Sequence, residues 1–361
     1  MVKSWVVLAV FFMLAAPAAA DFSPEELVEV GRAYMERGQN EDAIEPLRMA
    51  VEADDENVEA HRLLGLALSM TGRSAEAEPH LARAAELKPK SYETLLLLGM
   101  ARDLAGRHDK AAKAYEAATK IDEDRPCAWH ELGMTHLLRG DPSSAVTALG
   151  RAAEVSEKPS GSLLADLGYA LSAAGESEKA LEVLGRAVEV EPGDAGIRFV
   201  KGRVHAAAGQ VDEALEAFNA ALERKPDCAN SALHKGMTLV GAERYEEALP
   251  ALKLAVAEGS SSPRARAALG RALAATGDLD GAEANLRAAV AAEPRLVASW
   301  RDLARVYEAK EKRDEALSAL ERAASLSPDN EDISGEIQRL RGLADEDDPP
   351  KEDLEDTPGE E

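Results

Sequence analysis

Small and apolar positions recur along this chain on a fixed stride. A small residue is followed by alanine twelve positions later and by a second alanine seven after that: Gly31–Ala43–Ala50, Gly65–Ala77–Ala84, Gly99–Ala111–Ala118 and Gly133–Ala145–Ala152. The skeleton continues as Gly168–Ala180–Ala187, Gly202–Ala214–Ala221, Gly236–Ala248–Ala255, Gly270–Ala282–Ala289 and Ala304–Ala316–Ala323. The step is 34 residues, with a single step of 35 between the fourth and fifth copies, where the loop Glu157–Gly161 takes the extra residue. Around the skeleton, apolar residues keep helical rather than strand spacing, so each copy predicts two amphipathic helices of about a dozen residues. A second glycine follows the first by seven (Gly38, Gly72, Gly106, Gly140, Gly175, Gly209, Gly277) and marks the turn between the two helices, where a left-handed backbone is often needed. Glu243 and Glu311 stand there in the seventh and ninth copies, which predicts turns built differently. Pro89, Pro192, Pro226, Pro294 and Pro328 punctuate the ends of copies, and Pro126, Pro159 and Pro263 are placed to open the next helix.

The pattern therefore divides the chain into nine helical hairpins, at about 24–57, 58–91, 92–125, 126–160, 161–194, 195–228, 229–262, 263–296 and 297–329. The small residues allow helices to approach closely, and Tyr115, Trp129, Leu132, Phe218, Trp300, Leu303 and Tyr307 fill the seams. One hairpin cannot bury its apolar face alone, so neighbours must stack. After the ninth copy Ile333, Ile337 and Leu340 share one helical face, which predicts a capping helix over 330–343. Residues 344–361 hold ten acidic residues and one lysine, a composition that cannot form a core and predicts a disordered acidic tail. At the other end, Lys3, the apolar run Trp5–Ala16, Pro17 and the small residues Ala18–Ala20 have the outline of a secretory signal peptide over 1–20. An uncleaved anchor is the alternative, although the run is short of the ~20 residues that span a bilayer comfortably.

Composition sharpens this picture. Aromatics are 4% and hydrophobics 45% of the 361 residues, which suits thin stacked helices better than one thick core. A formal net charge of −25 argues against nucleic acid as a partner, because phosphates would be repelled. The two cysteines, Cys127 and Cys228, lie about three copies apart in a stack whose helices are spaced ~8–10 Å. A disulfide needs Cα atoms within ~7 Å, so two free, mostly buried thiols are expected.

One segment invites a catalytic reading. Trp129–His136, WHELGMTH, opens like the zinc-protease signature H-E-x-x-H, but the fourth residue after His130 is Met134, and His136 points elsewhere on the helix. The seven histidines never fall at i, i+3 or i, i+4. There is no G-x-S-x-G and no G-x-x-x-x-G-K, and paired carboxylates such as Glu25–Glu26 and Glu246–Glu247 read as solvated surface. The sequence thus predicts no catalysis, no metal and no cofactor. Trp129, Leu132–Gly133 and the bulky position after them instead resemble the opening of a tetratricopeptide repeat, with His136 where tyrosine is usual. The resemblance covers Pro24 to about Asp329. Lys201 and Lys235 depart from it by replacing the usual leucine before the glycine, and their stems are expected to lie along the seam.

The resemblance implies an all-α, right-handed α–α superhelical solenoid of nine tandem repeats with a C-terminal capping helix. It also implies a concave groove lined by the first helix of each repeat, chiefly by the residue after the skeleton glycine and the one four before that. Carried onto this sequence, the first series is Arg32, Leu66, Met100, Met134, Tyr169, Arg203, Met237, Arg271 and Arg305, and the second is Val28, Arg62, Leu96, His130, Ala165, Phe199, Leu233, Ala267 and Arg301. The middle is apolar (Leu96, Met100, Met134, Tyr169, Phe199, Leu233, Met237) and the C-terminal end basic (Arg271, Arg301, Arg305, with Arg264 nearby). Either the methionines are core and the arginines pair with carboxylates of adjacent helices, or the groove takes a peptide with an apolar segment and an acidic flank. Val28, Arg62 and Leu96 stand where the family's carboxylate clamp has lysine, so that mode is not expected. The sequence therefore predicts an exported scaffold, periplasmic or extracellular if bacterial, binding a protein or peptide in envelope, secretion or surface-complex assembly. A module that self-assembles through its stack ends and an accessory subunit of an enzyme are the alternatives.

Overall fold

The computed structural model describes residues 22–258 and 262–347, and the side chains up to 342. The leader 1–20 and residues 348–361 of the acidic tail lie outside them. The described residues form nineteen α-helices and no strand. They divide into two compact blocks, one ending at Pro192 and one beginning at Gly193.

In the N-terminal block the hairpins are α1 (Pro24–Glu36) with α2 (Asn40–Ala53), α3 (Val58–Met70) with α4 (Ser74–Leu87), and α5 (Tyr92–Leu104) with α6 (His108–Ile121). They are followed by α7 (Pro126–Leu138) with α8 (Pro142–Val155) and α9 (Gly161–Ala173) with α10 (Ser177–Val190). In the C-terminal block the pairs are α11 (Ala195–Ala207) with α12 (Val211–Arg224) and α13 (Ala229–Gly241) with α14 (Tyr245–Glu258). Then come α15 (Pro263–Ala275) with α16 (Leu279–Ala292) and α17 (Val297–Ala309) with α18 (Arg313–Leu326), ending on α19 (Glu331–Asp347). Within each block every hairpin packs on the next, and the first helices of successive hairpins touch each other directly.

Local chemistry sets where these helices begin. Ser23 caps α1 reciprocally with Glu26, Pro24 occupies the first helical position, and Asn57, Ser91, Ser160, Asp194 and Ser262 cap later first helices at the same place in the stride. Pro126 and Pro263 also open helices, whereas Pro159 sits before the cap residue Ser160 and so lies outside the helix it was expected to start.

The skeleton glycines have a specific partner. A Cβ built on Gly31, Gly65, Gly99 or Gly133 would lie 2.4–2.5 Å from Leu47, Leu81, Tyr115 or Leu149, each sixteen residues later on the second helix. Gly168, Gly202, Gly236 and Gly270 meet Leu184, Phe218, Leu252 and Leu286 in the same way, at 2.5–2.7 Å. Only a hydrogen leaves room for these fully buried knobs, so the first alanine-sized position of the stride is a socket. The two skeleton alanines beyond it are buried in every hairpin, which makes the whole skeleton packing rather than chemistry.

All nine turns between paired helices have one geometry. The seven turn glycines have φ between 71° and 90°, and Glu243 and Glu311 adopt 58° and 59°. The expectation of differently built turns for the two glutamates is therefore corrected. The amide after each turn residue donates to the carbonyl five residues back, as Arg107 does to Arg102 and Arg244 to Leu239, and that closure demands a left-handed residue whatever its side chain. An L-residue with a Cβ is strained there by ~1–2 kcal/mol. Glu243→Gly or Glu311→Gly is expected to raise stability by about 1 kcal/mol, the relief of strain less the backbone entropy of glycine, as read from urea unfolding of each single variant.

Two further expectations change. Cys127 and Cys228 are free, but Cys127 is exposed and Cys228 only half-buried, because they stand at helix starts instead of on a packing face. The last helix begins at Glu331 and runs to Asp347, four residues into the stretch read as tail, since no proline occurs between Glu331 and Pro349. Lys201 and Lys235 are half-buried, and His136 is buried at 9% exposure.

Candidate partner-binding surface

The expected lining residues sit on α1, α3, α5, α7 and α9 in the N-terminal block and on α11, α13, α15 and α17 in the C-terminal block. On α5, Leu96 is half-buried and Met100 is 40% exposed, one turn apart on the same face. His130 and Met134 repeat this on α7, and both are half-buried, as are Leu66 on α3 and Tyr169 on α9. Val28 and Ala165 are buried.

The same face continues one turn further. Met70, Leu104 and Leu138, each four residues beyond Leu66, Met100 and Met134, are 60%, 68% and 64% exposed. They are the most exposed large apolar side chains among the described residues. Reading the lining series out to i+4 would have found them, because residues four apart share a helix face.

His130 is held by charge. Its Nε2–H donates to the Asp166 carboxylate of α9 at 2.9 Å, and Nδ1 lies 3.6 Å from Glu131. Those two carboxylates, Asp166 foremost, outweigh partial burial and push the imidazole up to about 9. This lies above the unfolded value near 6.5, so the pair contributes its full stabilisation below about pH 6.5 and loses it as pH rises through about 9. With solvent screening the contribution is about 1 kcal/mol. The gap in thermal midpoint between the parent and His130→Gln is accordingly expected to be widest near pH 6 and to close by pH 10.

In the C-terminal block Phe199 is drawn into packing. Its ring meets His234 edge-on at 5.2 Å and lies 6.1 Å from Phe218, while the Arg203 guanidinium sits 5.8 Å from its centroid. Burial, with the Arg203 charge, lowers the His234 pKa. Leu233 is half-buried in the core, and Met237 is 43% exposed. Met237, Val240, Arg264, Ala267, Arg271 and Asp302 are among the residues lining an open concavity of about 230 Å³ across α13, α15 and α17.

The three predicted arginines are engaged with carboxylates, Arg271 with one on the first helix of the next hairpin and Arg301 and Arg305 with one on the last helix. Arg271 donates twice to Asp302, at 2.9 and 2.7 Å, and Arg301 donates twice to Glu336 of α19, at 3.2 and 2.7 Å. Arg305 is held more loosely, 3.3 Å from Glu336 and 3.6 Å from Asp302, and its side chain is 61% exposed. Arg301, and after it Arg305, keep the Glu336 carboxyl below its usual range. The pairing reading thus describes Arg301 fully, whereas Arg305 and the half-exposed Arg271 still present guanidinium surface outward. Among the described residues no group of three or more His, Cys, Asp or Glu is placed to hold a metal ion. No helix there is long and apolar enough to cross a membrane.

Comparison with known families agrees with the hairpin geometry. Three profiles, each described as tetratricopeptide repeat, match residues 30–92, 71–126, 96–162 and 165–229, residues 239–306, and residues 299–334. The chain belongs to the tetratricopeptide-repeat family. No curated protein matches it in sequence. Among solved structures it resembles YrrB, described as a tetratricopeptide-repeat protein with an unusual peptide-binding site, at 25% identity over 51% of this chain and 95% of that one, with a TM-score of 0.41. It also resembles the Cut9–Hcn1 hetero-tetramer of APC/C at 17% identity, 87% and 55% coverage and a TM-score of 0.49. MamA from Desulfovibrio magneticus RS-1 gives 22% identity, 48% and 98% coverage and a TM-score of 0.45. Membership of the tetratricopeptide-repeat family supports a scaffold for protein–protein interaction, and such repeat proteins are generally non-catalytic.

Proposed function

We propose that this tetratricopeptide-repeat protein is an exported scaffold that holds a protein or peptide partner on the first helices of its hairpins. The observation that carries the reading is a division of labour along those helices. Core positions such as Ala101 and Leu239 are buried, while Met100 and Met237 on the same two helices are 40% and 43% exposed. Large apolar side chains kept in water at repeated positions are unfavourable for a monomer and favourable for an interface. Methionine adds adaptable packing there.

A second element of the reading concerns charge. Arg271 and Arg305 keep partly open guanidinium groups beside Asp302, which suits a carboxylate on the partner's flank. An exported location, and a role in envelope, secretion or surface-complex assembly, rest on the leader-like residues 1–20. The test is photo-cross-linking in native cells with the photoreactive residue at Met100, Met237 or Arg305, and at Lys113 as an outward control. One partner captured from the groove positions and not from the control supports the reading. Capture that does not distinguish them, or that recovers only cytosolic proteins, counts against it.

A further inference from the structure

Leu66, Met70, Met100, Leu104, Met134 and Leu138 form one strip on α3, α5 and α7. Two side-chain rows, four residues and so about 6 Å apart, cross three first helices that touch in succession. At ~8–10 Å between packed helices the strip is roughly 20 Å long. It is part of the partner-binding groove of the proposed function, and its assignment to an occupant rests on that reading.

The strip offers apolar contact and little else. Polar side chains beside it are already satisfied internally. Ser69 donates to the Gly65 carbonyl at 2.9 Å, and Asp103 accepts from Thr135 at 2.5 Å and pairs with His108 at 2.9 Å. The helix backbones beneath are hydrogen-bonded within themselves. An extended segment laid here would press unpaired amides against methyl and thioether groups, which is costly. A helix satisfies its own backbone and presents only side chains. About fourteen residues of helix span the strip.

Charge narrows the occupant further. Beside Met70 and Leu138 the turn-edge ion pairs face solvent with their acidic member. Arg73 is 34% exposed and its partner Glu41 70%, and Arg139 is 35% exposed and its partner Asp109 81%. At the middle turn Arg107 covers the buried Glu78 instead. The whole chain carries −25. We infer that the strip on α3, α5 and α7 seats an amphipathic helix, its Leu- or Met-rich face inward and lysine or arginine on its outer face.

Cys127 is exposed at the start of α7 and provides a reporter, once the half-buried Cys228 is changed by Cys228→Ser. The labelled full chain is titrated with three blocked 15-residue peptides. The first is built of leucine and lysine with leucines on one helical face. The second has the same composition in strict alternation, which suits a strand, and the third is the first with glutamate for lysine. The first peptide is expected to bind at least tenfold more tightly than the others. The triple change Met70→Gln, Leu104→Gln, Leu138→Gln is expected to weaken it at least tenfold without altering the thermal midpoint, since all three side chains are exposed.

If the alternating peptide binds equally well and is also lost in the triple variant, the groove reading stands and the helical occupant is overturned. Equal binding of the glutamate peptide overturns the basic outer face. Binding indifferent to the triple change, or no binding at all, removes the strip as a seat and the groove reading in this block with it. Concentration-dependent self-association abolished by the triple change would assign the strip to a second copy and overturn the inference.

Discussion

Phe218→Ala is expected to lower the stability of the C-terminal block by about 3–5 kcal/mol. The ring is fully buried and lies over Gly202, where a built Cβ would come within 2.7 Å of it. The neighbouring rings of Phe199 and His234 stand 6.1 and 6.3 Å away. Truncation leaves a void faced by a residue with no side chain, so little can move in to fill it, and the cost belongs at the upper end of that range. The same geometry predicts a reversal of sign. Gly202→Ala alone should destabilise, because the methyl collides with the ring. In the Phe218→Ala background it should restore part of the loss, a coupling of ~1–3 kcal/mol. Urea unfolding of the four chains measures this, and additive effects would show that the socket does not work as described. The ninth hairpin has alanine at the socket position, and there buried Ala304 shares a cluster with Leu320, the residue sixteen on.

Met100→Glu is expected to weaken partner capture at least hundredfold, equivalent to ~2.7 kcal/mol, while leaving the fold intact. Met100 is 40% exposed and sits between Leu96 and Leu104 on its helix face, so in the free protein a carboxylate there remains hydrated. A bound apolar segment would strip that hydration and supply no counter-charge. Surface changes of this kind shift stability by ~0.5 kcal/mol or less. Thermal unfolding and quantitative recovery of the cross-linked partner, with Lys113→Glu as the control, separate the two effects. Recovery equal to that of the parent would remove Met100 from the binding surface.

The stride made the helices and hairpins legible because its spacing is enforced by close packing. A glycine socket, its knob sixteen residues on and two buried alanines leave few alternatives at those positions. The turns were legible only where glycine signalled them. Glu243 and Glu311 carry no sequence mark of a left-handed residue, and the closing hydrogen bond imposes it. The cysteines were misplaced because helix starts, unlike helix faces, do not follow the apolar period.

The exposed apolar positions on the first helices were legible in part. Met100 and Met237 stand exposed on first helices, where the family resemblance put them. The series stopped one turn short of Met70, Leu104 and Leu138, which no skeleton residue flags. The partners of Arg271 and Arg301 lie 31 and 35 residues away, two helices further along the chain. Pairing at that range depends on how one hairpin sits on the next, and charge order along the chain does not reveal it.

Three of the six strip residues, Met70, Met100 and Met134, carry a thioether, and Met70 and Met100 are 60% and 40% exposed. A peroxide transfers one oxygen atom to such a sulfur and leaves as water or an alcohol. The resulting sulfoxide is polar and can be reversed enzymatically. The seat would then become wettable at two places without any change in the buried knobs and sockets. The scaffold's grip would respond to oxidants while its architecture would not.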